Sequence, residues 1–84
     1  MTPTFRNSTI AAYTLMRAAL EKETEEVSID DAVGEHQATF TETIVFLHRL
    51  ARKLPNCSVS IIETVVGDEN TGRLSVTRLR GSGG

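Results

Sequence analysis

Residues 58–79 read SVSIIETVVGDENTGRLSVTRL, and this stretch decides the fold. Residues 58–66 are rich in β-branched side chains and follow a period of two, the mark of a strand. Residues 67–72 carry a glycine at each end and read as a six-residue turn. Residues 73–79 alternate again as a second strand, so an antiparallel hairpin is expected. In the preferred register Val59, Ile61, Val65, Leu74 and Val76 face inward and Glu63 lies beside Val76. A shift by one residue would place Glu63 beside Thr77, and the sequence leaves both open.

Upstream the period changes. Val33, Phe40, Ile44, Leu47, Ala51 and Leu54 recur at helical spacing. Residues 27–31 read as a break where Ser28 or Asp30 can cap a second helix that runs to Leu54 and is stopped by Pro55; Gly34 weakens its first turns, which leaves a start nearer Glu35 open. Val45, Phe46 and Leu50 add an apolar strip beside the first stripe, so this helix needs cover from more than one side. A first helix is expected over 8–26, with Asn7, Ser8 and Thr9 as candidate caps and Ile10, Tyr13, Met16, Leu20 and Val27 as its inward face. Residues 1–6 read as a short extended lead, and 81–84 as a flexible Gly/Ser tail.

The fold class is therefore α+β: two amphipathic helices followed by an antiparallel β-hairpin, one domain over 1–80. A lone hairpin is marginal in water and leaves both edges unpaired. A chain of 84 residues buries little interior, and Cys57, its sole cysteine, excludes an intrachain disulfide. Dimerisation is the expected completion, by pairing the same strand of two copies into a four-stranded sheet. Packing of two copies through the Val45, Phe46 and Leu50 strip is the competing geometry.

Charge is sorted along the chain. Residues 21–42 hold eight acids against Lys22 alone, a net −7, while residues 43–84 hold six bases against three acids, a net +3. The overall −2 hides this polarity, which can steer a partner or a second copy. Glu21, Glu23, Glu25, Glu26, Asp30 and Asp31 form the candidate partner-binding patch. Arg49, Arg52, Lys53, Arg73, Arg78 and Arg80 form the candidate nucleic-acid set, since clustered bases on a helix and a β-ribbon suit phosphates. The acidic balance and the few aromatics argue against a dedicated nucleic-acid binder.

Catalytic and metal chemistry find no motif. His36 and His48 stand twelve residues apart on the expected long helix, about 18 Å, too far to share an ion. Nothing supplies Cys57 with an orienting group and an oxyanion site. Gly67 and Gly72 lack the Lys and Ser/Thr of a phosphate loop. The ending Leu79-Arg80-Gly81-Ser82-Gly83-Gly84 resembles the tail of ubiquitin-like modifiers. Ser82 interrupts the match, and the chain opens with a helix where that family has a hairpin.

The expected function is a non-enzymatic protein-interaction module without cofactor or metal, acting as a homo-oligomer. A phage or mobile-element accessory protein that inhibits or redirects a host protein is the class expected. The alternative is a nucleic-acid-binding accessory protein using the basic C-terminal ribbon. No secretory signal or run of about 20 apolar residues is legible, so a cytoplasmic location without membrane contact is expected.

Overall fold

Small side chains decide how the helices meet. In the computed structural model, which describes residues 3–23 and 25–79, α1 (Pro3–Lys22) buries Ser8, Ala11, Ala12, Leu15, Met16 and Ala19. The three alanines are fully buried, and alanine lets a neighbouring helix approach closely. The inward face therefore differs from the expected one: Ile10 and Tyr13 stay 46% and 53% exposed, on the outer side. The helix already runs at Pro3, where a missing N–H costs nothing, so residues 3–6 are not an extended lead. It ends at Lys22, because Glu23 takes a left-handed φ of 30°.

The expected second helix is broken in two, and the link before it contains a strand. Val27–Ser28 form a short strand, β1; α2 covers Ile29–Glu35 and α3 covers Phe40–Arg52. Ser28 caps α2, its side chain accepting the Asp31 N–H at 3.4 Å. Past Glu35 the chain closes on itself: Gln37 N–H donates to the Gly34 carbonyl, and Ala38 N–H to the Val33 carbonyl. These paired bonds, with Gln37 at φ 53°, form a Schellman stop. Glycine usually fills that left-handed position; here glutamine does, so the break carries no sequence signature.

Tertiary contacts hold that turn instead. Asn7 Nδ2 donates to the Gln37 carbonyl at 3.3 Å. Ser8 Oγ accepts the Thr39 N–H at 3.1 Å and donates to Glu42 Oε1 at 3.1 Å. Thr39 Oγ1 donates to the same Glu42 oxygen at 2.7 Å. Asn7 and Ser8 thus bolt α1 to the start of α3 and do not cap α1. Edge-to-face packing of Phe5 on Phe46, centroids 5.0 Å apart, extends the same seam.

The hairpin is longer and its turn tighter than expected. Strands β2 (Cys57–Val66) and β3 (Glu69–Arg78) are joined by Gly67-Asp68 alone. Gly67 has φ 64°, the conformation the first central residue of a type II′ hairpin turn requires. Val59 pairs with Val76 and Ile61 with Leu74, which puts Glu63 opposite Gly72 and corrects both expected registers. Gly72 is a strand residue: a Cβ there would lie 2.9 Å from Phe40 Cζ and 3.0 Å from Ile29 Cδ1.

The class is α+β, with three helices and a three-stranded antiparallel sheet in the order β1-β3-β2. The helices lie on one face, where Gly72, Leu74 and Val76 of the central strand are buried. Val27 and Ser28 pair with Leu74 and Arg73, and the Asp30 carboxylate accepts the Gly72 N–H at 2.9 Å. So the hairpin does not have two open edges: β1 and Asp30 cover part of the outer side of β3, and β2 keeps the long free edge.

Candidate interaction surface

Connections between elements place the acidic residues. Glu21 sits exposed in the last turn of α1, and Glu23, Glu25 and Glu26 are exposed in the link to β1. Asp31 and Glu35 are exposed on α2. Asp30 differs: it is half-buried and engaged with the Gly72 amide, a structural role the charge pattern did not reveal.

The bases do not assemble into one patch. Arg49, Arg52 and Lys53 are exposed at the C-terminal end of α3, where positive charge suits the helix dipole. The Arg49 guanidinium also lies 5.6 Å from the centroid of Phe46. Arg73 points to the helix-free face of the sheet, beside Ser28, Asp30, Thr64 and Thr71 in a small cleft of about 210 Å³. Arg78, at the far end of β3, borders a depression with Leu20, Leu54, Pro55 and Cys57. Leu20 near the end of α1 and Leu54 just past α3 both line that depression, so the two helix ends meet there. Arg80 and the 81–84 tail lie outside the described residues.

Helix α2, the four-residue link 36–39 and α3 follow one another as helix, turn and helix, and the β-hairpin comes after them, an order also found in some DNA-binding proteins. In DNA readers of this arrangement the first helix crosses the phosphate backbone and the N-terminal residues of the second reach base edges. Here α2 starts with Asp30 and Asp31, and the ribbon tip carries Asp68 and Glu69. The first half of α3 presents Thr41, Glu42 and Val45, while its bases come in its last turns. Of these acids Asp31, Asp68 and Glu69 are exposed, whereas Asp30 and Glu42 are already hydrogen-bonded to Gly72 and to Ser8 and Thr39.

Titratable side chains do not converge on a reaction centre. His36 ends α2 and His48 lies on α3, so the two are on different helices, contrary to the single-helix expectation. Among the described residues no group of three His, Cys, Asp or Glu side chains could hold a metal ion. Nor does any buried side-chain nitrogen or oxygen among them lack a hydrogen-bond partner. No helix among them is long and apolar enough to cross a membrane.

Val65, expected to face inward, is 69% exposed, because the helices do not reach its end of the hairpin. The open face of the ribbon was missed at the level of sequence: Ile62 and Val66 are 51% and 65% exposed there. The doublets Ile61-Ile62 and Val65-Val66 were the available signal, because adjacent apolar residues in a strand face opposite sides. Comparison with protein-family models, with curated proteins and with solved structures finds no match.

Proposed function

We propose that the chain is a non-enzymatic protein-interaction module that works as a homodimer and docks a basic surface of another protein through its acidic stretch. The observation that carries this reading is the exposure of Glu21, Glu23, Glu25, Glu26 and Asp31 along one continuous segment, from the end of α1 to the start of α2. Such a field speeds encounter with a cationic surface and resists phosphate. The exposed acids Asp31, Asp68 and Glu69 on the helices and ribbon favour a protein over a polynucleotide.

Affinity capture from the native host tests it, with the unmodified chain set beside a chain reversed at Glu23, Glu25 and Glu26 to Lys. The expected outcome is a basic protein retained by the first and lost by the second, with unchanged circular dichroism. Equal retention by both would remove the acidic stretch from the interface.

The helix-turn-helix order favours a second reading, a nucleic-acid-binding accessory protein that uses Arg49, Arg52, Lys53, Arg73, Arg78 and Arg80. It requires an affinity for duplex DNA or RNA that falls steeply with salt, in proportion to the phosphates neutralised. Fluorescence anisotropy with a labelled duplex at low ionic strength decides it, and a flat titration ends that reading.

A further inference from the structure

Strand β2 is an edge of ten residues with almost none of the devices that protect edges. It holds one charge, Glu63, and no proline. Its pairing with β3 runs without interruption from Cys57↔Arg78 to Val66↔Glu69, so no bulge twists the edge away.

The phase of the ladder identifies the free backbone groups. The Leu79 N–H donates to the Asn56 carbonyl at 2.7 Å, and the two-residue turn closes on the Val66↔Glu69 pair. Because antiparallel pairs alternate between bonded and unbonded, even-numbered residues of β2 bond β3. The N–H and C=O groups of Cys57, Val59, Ile61, Glu63 and Val65 therefore point outward. The Gly72 N–H, on the residue opposite Glu63, turns away from β2 to Asp30 and obeys the same phase.

The two halves of β2 also differ in backing. On the helix-facing side Cys57, Val59 and Ile61 are half-buried, whereas Glu63 and Val65 extend past the helices into solvent. We infer that β2 pairs antiparallel with β2 of a second copy about a twofold axis through Ile62, making one six-stranded sheet. This deepens the homodimer reading above and rests on it.

The self-complementary halves of β2, one backed by helices and one not, select a second copy as the occupant, and three observations select the axis. Outward groups must meet outward groups, so the axis falls on a residue and not between two. An axis at Glu63 would oppose two carboxylates, which is destabilising. An axis at Ile61 would set Val66 against Asn56, whose left-handed φ of 59° places it outside the strand. At Ile62, each unbacked half lies beside the helix-backed half of the other copy. Val65 then meets Val59, Glu63 meets Ile61, and the two Ile62 side chains meet on the open face.

Cross-linking tests the axis. An Ile62→Cys, Cys57→Ser chain places two thiols across an unbonded pair with Cα atoms about 4.5 Å apart, within the disulfide range of about 4.4–6.8 Å. Mild oxidation at micromolar concentration should convert most of it to a covalent dimer. A Ser60→Cys, Cys57→Ser chain, whose thiols would be offset by about 13 Å along the strand, should remain uncoupled. Glu63→Pro removes an N–H that does not bond β3, so it should halve the sedimentation mass and keep the circular dichroism spectrum. Failure of Ile62→Cys to couple, or a dimer that survives Glu63→Pro, overturns the β2 axis. If the unmodified chain is dimeric while Ile62→Cys does not couple, this axis falls and the homodimer reading stands; a monomer sinks both. Capture through the acidic stretch is read separately and survives either result.

Discussion

The two ends of one hairpin obey different physics. Near the helices, Leu74 and Val76 are fully buried and Val59 and Ile61 are half-covered. Beyond Gly72 the same ribbon continues, still paired, and Val65, on the same side as Val59 and Ile61, is 69% exposed, while Ile62 and Val66 are exposed on the opposite, helix-free face. Along β2 apolar residues recur at both ends, Val59 and Ile61 at one and Val65 at the other on the same side; the helical layer lies behind only the first. Strand identity thus follows from local side-chain chemistry, whereas stabilisation follows from what lies against the face. An apolar ribbon without backing is characteristic of a surface that another chain covers.

Substitutions can break this contrast in order of size. Leu74→Ala removes a fully buried side chain from the backed end and should cost about 2–5 kcal/mol, read as a lower urea midpoint. Gly72→Ala forces a methyl against Phe40 and Ile29 at the boundary and should cost about 1–3 kcal/mol by the same measurement. If Gly72→Ala is neutral, Phe40 swings aside freely and the boundary is softer than argued. Asp30→Ala leaves the Gly72 amide without its acceptor and should cost about 1–2 kcal/mol, with faster exchange of that amide. Val66→Thr, at the unbacked end, should change the stability of the dilute monomer by no more than about 0.5 kcal/mol. A large loss there would mean that the outer ribbon is supported within one copy.

Legibility in the sequence followed the range of the interactions. The hairpin strands, the Ser28 cap and the stop before Pro55 were all readable, because period, capping chemistry and proline act over a few residues. The break between α2 and α3 was not, since Gln37 stands where glycine usually marks a left-handed turn. Its support comes from Asn7 and Ser8, thirty residues away and more. On α1 the buried Met16 and the close-packing Ala11, Ala12 and Ala19 were legible, but Ile10 and Tyr13 were misjudged as inward because large apolar residues were weighted over the alanine stripe. Of the candidate site, the exposed acids at Glu23, Glu25 and Glu26 stand free on the surface, but Asp30 proved to be part of the sheet and the bases proved scattered.

By itself the chain determined which segments favour helix and which favour strand, where proline and capping residues end them, and how charge is distributed along it. Tertiary structure alone decided that a two-residue strand flanks β3, that one long helical pattern folds as two helices, and which face of the ribbon the helices cover. The reason is reach: propensity and periodicity act between near neighbours. Strand order, helix facing and the choice of exposed edge depend on contacts between residues far apart in sequence, and these exist only once the chain has folded.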